Sequence, residues 1–305
     1  MSFRRREFLQ CLAGLGSSLI LATGRLGASP ASLTRRIPSS GEHLPVIGLG
    51  TWLTFGIDPD DAASMAVRQQ LLHEFLQLGG RLVDSSPMYG TAQEVIGRSL
   101  QNIGSYKKLF AATKVWVRGY RHAIQQMERS RLLWKIPRFD LMQVHNLLDW
   151  QSHLPLLQDM KRTGRLRYIG VTISHGRRHK ELIQIMRGQK IDFVQFTYNL
   201  LDREAEQELL PLAADLGIAA IINRPFQGGR LFQLLGRQRL PAWAAEIECN
   251  HWAQFFLKYI ISHPAVTCAI PATSQLTHLQ QNMAAVYGNL PDARMRRKML
   301  AYVQA

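Results

Sequence analysis

Cysteine is scarce in this sequence, with three thiols among 305 residues, at Cys11, Cys249 and Cys268. Three thiols build no disulfide framework, and no C-x-x-C pair is present to hold zinc or run dithiol chemistry. Acidic side chains are also in deficit, 22 against 37 Lys and Arg, a formal charge of +15. No uncharged apolar stretch reaches the roughly 20 residues of a spanning helix, which excludes a multi-span membrane protein. H-x-H and H-E-x-x-H spacings are missing. His175 and His179 stand four apart, but only Gly176, Arg177 and Arg178 lie between them, so no metal is expected. Low-complexity tracts and a domain linker beyond Pro38 are absent too. What remains is 46% apolar residues, enough for one large core without a covalent or metal staple.

The N-terminus reads differently from the rest. Arg4, Arg5 and Arg6 precede residues 11–24, an uncharged run of 14 residues that Arg25 ends. A positive start followed by a short apolar run is the pattern of an export signal. Arg5 and Arg6, followed by Glu7, Phe8 and Leu9, resemble the twin-arginine signal. Ser29, Pro30 and Ala31 provide small residues for cleavage after Ala31. The expected division is therefore a signal peptide over 1–31 and a folded domain over 32–305. The resemblance implies export by the twin-arginine machinery after folding, and a periplasmic location. The chain from residue 32 on still carries +12.

The remainder alternates. Eight short apolar runs occur at 46–51, 81–85, 109–114, 139–145, 168–172, 193–197, 218–223 and 267–271. Each is nearly continuous in apolar character, as in a parallel sheet covered on both faces. Helical patterns lie between them, at 62–78, 203–216 and 250–262. Strands alternating with helices predict β/α units. Eight such units in about 250 residues predict an α/β fold of the (β/α)8 TIM-barrel type. A doubly wound sheet would carry G-x-G-x-x-G after the first strand. Here Gly48 and Gly50 are followed by Thr51, Trp52 and Leu53, without the third glycine.

In a (β/α)8 barrel the site lies at the C-terminal ends of the strands. Those ends deliver Asp84, then Tyr89 just beyond, then Lys114 and His145. A phenol is a poor acid at neutral pH, and a neighbouring ammonium favours its phenolate and lowers its pKa. Lys114 supplies the ammonium and Asp84 its counter-ion. His145 is placed to hydrogen-bond the oxygen of a bound carbonyl, and Tyr89 is expected to donate the proton. No nucleophile with its own base accompanies them. A proton donor without a nucleophile suits carbonyl reduction, with hydride brought by a cofactor.

Several local motifs together resemble the aldo-keto reductase family. They are Gly48-Leu49-Gly50-Thr51-Trp52, Asp84 through Tyr89-Gly90 with Glu94 and Gly97, Thr113-Lys114-Val115-Trp116, and Asp140 through His145. Tyr168-Ile169-Gly170-Val171 and Val194-Gln195 follow in order. The resemblance implies Tyr89 as proton donor with Asp84, Lys114 and His145 as partners. It implies a nicotinamide cofactor at the barrel mouth, NADP(H) favoured over NAD(H). Gly50, Thr51, Trp52 and Asp84 would meet it from the first two strands. Thr172 and Gln195 would take the carboxamide, with Asn223 and Arg224 near the nicotinamide or a phosphate. Pro225, Gln227 and Gly229 would approach the pyrophosphate, while Thr273, Ser274, His278, Gln281 and Asn282 would hold the adenosine end. Trp52, Trp116 and Trp150, just beyond strands, are expected to line an apolar substrate pocket.

The pattern has departures. Thr172-Ile173 replaces the usual Ser-Asn, Asn223-Arg224 replaces Tyr-Ser, and Ala272 and His278 stand where many members carry Lys and Arg. Only 23 residues follow Asn282, so an open, permissive pocket is expected. The cluster Arg294, Arg296, Arg297 and Lys298 reads as an exposed helical face, and Cys249 and Cys268 as buried and inert. The expected activity is exported, NAD(P)H-dependent reduction of small aldehydes or ketones. Its alternative is a cofactor-binding sensing or interaction module with weak catalysis on the same fold. Nucleic acid is not an expected partner, since no recognisable motif accompanies the basic residues.

Overall fold

A computed structural model describes residues 33–104 and 108–304. The signal-peptide expectation for 1–31 lies outside them. The first elements are two short antiparallel strands, β1 (Thr34–Arg36) and β2 (His43–Pro45). The β/α units then begin. In order they are β3 (Leu49–Gly50), α1 (Ala62–Gln77), β4 (Leu82–Asp84), α2 (Ala92–Ile103), β5 (Phe110–Val115) and α3 (Tyr120–Trp134). Next come β6 (Leu141–Val144), α4 (Trp150–Arg162), β7 (Tyr168–Thr172), α5 (His179–Gly188) and β8 (Phe193–Thr197). The chain ends with α6 (Leu209–Asp215), β9 (Ala219–Asn223), α7 (Arg230–Leu235), α8 (Trp252–Ile261), β10 (Val266–Ala269), α9 (Leu276–Met283) and α10 (Ala293–Gln304).

Strands β3 to β10 pair in parallel and in chain order. The sheet closes on itself. Gly48 N–H donates to Ala269 O at 2.8 Å, and Gly50 N–H to Pro271 O at 2.9 Å. A Cβ at Gly50 would stand 2.7 Å from Ile270 O, so only glycine lets the seam close. The fold is thus the eight-stranded parallel barrel that the alternation predicts, and every predicted strand run coincides with one of its strands. The helical stretch at 203–216 is shorter than its pattern, because a 3-10 turn at Glu204–Glu206 precedes α6.

Two apolar cores result. One lies between the strands and the helices, with Phe55, Phe75, Trp134, Phe255 and Phe256 among its large members. The other fills the barrel itself, with Leu82, Phe110, Leu141, Phe193, Ile221 and Cys268. Ile37 and Leu44, from the β1–β2 hairpin, are fully buried members of this second core. The hairpin therefore plugs the end where the barrel strands start. An ionic latch holds it there. Glu42 bonds Arg81 at 2.9 Å and also Arg167, which reaches Asp140 at 2.6 Å. Ser40 and Glu42 accept from the Tyr168 hydroxyl side, with oxygens 2.7 and 2.9 Å apart.

Helix α10 departs from the sequence expectation. Arg296 is not on an exposed face: it bonds Glu206 and the Tyr198 hydroxyl, both at 2.6 Å, and lies 4.1 Å over the Tyr259 ring. The carboxylate that anchors it lies about ninety residues back in the chain, out of range of any local pattern. No helix among the described residues is long and apolar enough to cross a membrane.

Candidate active site

Parallel strands carry their last residues to one end, and the loops after them surround a cavity of about 890 Å³. That lies high in the range of ligand pockets, about 300–1,000 Å³. Asp84 lines the cavity, and behind Asp84 the fully buried Lys114 donates to Asp84 Oδ2 at 2.5 Å and to Ser85 O at 2.8 Å. The Lys114 ammonium stands 5.2 Å from the centroid of the Tyr89 ring. Tyr89 meets the His145 ring edge to face, with centroids 5.9 Å apart. The residues expected at the strand ends therefore do converge.

Their charges are set by burial as much as by neighbours. Burial opposes the ammonium of Lys114, but the Asp84 carboxylate and Tyr89 together outweigh it, and its pKa is raised. Burial drives His145 the other way, helped by the Lys114 charge, and lowers its pKa to about 2. His145 is therefore a neutral imidazole. The expectation for Tyr89 is overturned in sign: burial raises the phenol's pKa, and the nearby ammonium offsets only part of that. Removing the phenolate's water costs more than the ammonium returns. Tyr89 is thus firmly protonated, a state in which it holds a proton to give.

Four supporting contacts lay beyond the sequence reading. Ser86 Oγ lies 2.8 Å from His145 Nδ1 and fixes the imidazole with Nε2 as its other polar atom. Gln143 and Gln195 each donate to Asp84 Oδ1 at 3.2 Å. Asn199 donates to Arg224 O at 2.9 Å and pins the loop after β9. Gln143 lies two residues before His145 on β6, so strand alternation alone puts both on the barrel's inner side. Ser86 and Asn199 leave no such signal, because their partners come from other strands.

The expected cofactor residues divide into two groups. Gly50, Thr51, Trp52, Asp84, Thr172 and Gln195 line the cavity. So do Asn223, Arg224, Pro225, Gln227 and Gly229. Asn223 is also a strut, donating to Ile173 O at 2.8 Å and accepting from Thr197 Oγ1 at 2.8 Å. Thr273, Ser274, His278, Gln281 and Asn282 do not line the cavity. They continue past Ala272, which does line it, along the turn and first face of α9.

The three tryptophans also separate. Trp52 lines the cavity. Trp116 lies outside the cavity wall but beside His145, ring centroids 6.3 Å apart. Trp150 is not in the pocket, contrary to expectation: its Nε1 donates to Glu181 on α5 at 3.0 Å. Asn146, Leu147 and Asp149 all take positive φ before α4, and this reversal turns Trp150 away from the mouth. Cys249 and Cys268 are buried, and burial raises both thiols, the first to about 11.

Against known proteins, the aldo/keto reductase family model matches residues 46–298. The chain belongs to the aldo/keto reductase family. It is an oxidoreductase of that family, and a carbonyl compound is its implied substrate. Its relatives include the methylglyoxal reductase YeaE of Escherichia coli, 29% identical over 276 residues, covering 88% of this chain and 95% of that protein. The NADH-specific methylglyoxal reductase of the same organism is 26% identical over 230 residues, 65% of this chain and 68% of its own. Among solved structures, an aldo-keto reductase from Klebsiella pneumoniae in complex with NADPH superposes with a TM-score of 0.76. It is 23% identical and covers 89% of this chain and 95% of its own.

Proposed function

We propose that this protein reduces small aldehydes or ketones to alcohols with a nicotinamide cofactor, Tyr89 supplying the proton. The observation that carries the reading is the Tyr89 phenol, held protonated between the Lys114–Asp84 pair and the neutral His145. The cavity also fits the cofactor. Trp52, Phe226 and Phe232 offer flat apolar wall to rings, and three arginines at its rim favour phosphates. The buried Nε of Arg224 has no partner in the described structure, a donor that waits for an anion.

When bound, the nicotinamide supplies hydride. The chain's own residues do the rest. Thr172 and Gln195 at the floor are the carboxamide side, and Pro225, Gln227 and Gly229 the pyrophosphate side. Thr273, Ser274, His278, Gln281 and Asn282 continue toward the adenosine. His145 Nε2 and the Tyr89 hydroxyl both address a carbonyl oxygen, and Trp52 walls the rest of the substrate, while Trp116 flanks His145 from outside the cavity. Lys114, bonded to Asp84, stabilises the phenolate that remains after Tyr89 gives up its proton. We favour NADP(H) over NAD(H) because Ser274 and His278 stand on the adenosine side, where the 2′-phosphate that distinguishes NADP(H) would lie; the NADH-specific relative makes the comparison one to measure.

We further infer that residues 1–31 form a twin-arginine-type signal, that 32–305 form the reductase domain, and that the protein acts in the periplasm. Arg5-Arg6 ahead of the uncharged run 11–24 supports this. Fractionation of cells bearing the parent chain and an Arg5→Lys, Arg6→Lys variant tests it: recovery of both from the cytoplasm overturns export. For the reaction, fluorescence titration with NADPH and NADH is followed by turnover of 4-nitrobenzaldehyde. Tight nucleotide binding with no turnover of any carbonyl overturns the reductase reading in favour of a sensing module.

A further inference from the structure

Among the described residues seven ionisable side chains line the cavity, and their signs are uneven. Asp84 is the one carboxylate, and Lys114 occupies it. Arg178 is engaged, by Glu181 at 2.6 Å, and Arg177, without an ion pair among the described residues, is exposed, so water serves its donors. Arg224 forms no ion pair and donates no side-chain hydrogen bond among the described residues, and its Nε is buried without a partner. Asp202 acts on it only at a distance. A guanidinium presents five donors and pairs with planar oxyanions two bonds at a time.

The place of Arg224 narrows what it reads. Its Cζ lies over the Trp52 ring, 6.0 Å from the centroid. Trp52 also walls a smaller recess that contains Met88 and Tyr89. The guanidinium therefore shares its wall with the proton donor. The backbone holds it there in an uncommon conformation, φ +49°, which costs energy at a residue with a side chain. Two bonds to the Arg224 carbonyl sustain it, from Asn199 Nδ2 and from Gln227 N, each at 2.9 Å. Both a nucleotide phosphate and a substrate carboxylate present the oxygen pair that such a group binds.

We propose that Arg224 recognises a carboxylate on the carbonyl substrate, so that oxo acids are preferred over neutral carbonyl compounds of the same shape. This rests on the reading of Tyr89 as proton donor, since it is the shared Trp52 wall that puts the anion and the reacting carbonyl in one pocket.

The test uses matched pairs, 3- and 4-formylbenzoate and their methyl esters, with NADPH, on the parent protein, Arg224→Gln and Arg224→Lys. Loss of one charge-assisted hydrogen-bonded contact lowers the acid-to-ester ratio of kcat/KM by about tenfold or more. We expect that fall in Arg224→Gln and partial recovery in Arg224→Lys. An unchanged ratio overturns the proposal, and if the Kd for NADPH weakens instead, the guanidinium serves the nucleotide phosphates. Should Arg224→Gln not fold, inhibition of the parent by benzoate and by methyl benzoate decides: equal inhibition overturns the proposal. Reduction of the esters without preference for the acids defeats this inference alone, whereas reduction of neither defeats the reductase reading beneath it.

Discussion

The two ends of the barrel are made of similar residues put to opposite uses. At the end where the strands start, charges are densely paired, and among the described residues Arg35 Nε is the buried donor there left without a partner. Glu42 serves Arg81, Arg167 and Tyr168, and Arg167 adds Asp140. At the end where they finish, donors and acceptors are left over: Ser85 Oγ, Gln143 Oε1 and Arg224 Nε are buried without partners. The backbone shows the same contrast. Leu53, Asn146, His175, Arg178, Arg224 and Gln227 take positive φ in loops at the finishing end, where strain of this sort accompanies ligand sites. The end where the strands start takes positive φ mostly at glycine, as at Gly41, Gly79, Gly164 and Gly217, with Lys135 before β6 as an exception. One end spends its polar groups on holding the fold; the other keeps them in reserve for a ligand.

Substitutions at the two ends should therefore fail differently. The largest effect belongs to Tyr89→Phe. It should lower kcat for carbonyl reduction by about 10²–10⁴, with the melting temperature and the Kd for NADPH little changed. Parent-like turnover would show that the open end draws its proton from elsewhere.

Next is His145→Asn, read as stability against pH. The imidazole titrates near 6.5 when unfolded and at about 2 when folded. Below 6.5 the unfolded chain takes up a proton that the folded one refuses, so the parent loses stability as pH falls. The loss is about 1.4 kcal/mol per pH unit, or roughly 2 kcal/mol at pH 5. Denaturant titrations at pH 7.5 and 5 should show the variant gaining on the parent by that order. A constant difference between them would mean that the site is wetter than its packing implies.

Glu42→Gln probes the closed end. Burial opposes the Glu42 carboxylate, but Tyr168, Arg81 and Arg167 together hold its pKa below the ordinary value. Its contribution is present above the unfolded pKa and is lost as pH falls through the folded one. The substitution should cost about 1–2 kcal/mol at neutral pH after allowance for partial exposure, less at pH 4, and nothing in kcat. A fall in kcat would erase the division between the ends. Smallest is Ser86→Ala, which frees His145 Nδ1 and should lower kcat about fivefold with KM for the nucleotide held.

Much of this was legible in the residues. Asp84, Lys114 and His145 end apolar runs of strand length, so topology alone gathers them. The hairpin was not legible, because strands of three residues carry no period to read. Trp150 misled for a related reason: its direction depends on positive φ at Asn146 and Asp149, which neither residue type demands. The raised pKa of Tyr89 is not legible, because a sequence names the neighbouring cation but not the amount of water removed. Arg296 reads as surface until Glu206 folds beneath it.

The plug has a consequence for the order of assembly. Residues 34–45 leave the ribosome early, yet what they pack against arrives late: Arg167, Phe193, Ile221 and Cys268, with Arg35 reaching the carbonyl of Ile261. Throughout translation Ile37 and Leu44 wait in water for their neighbours. The seam strand β3 waits as well, with an open edge until β10 follows it. Chains that end before residue 266 leave both apolar surfaces without their partners at once.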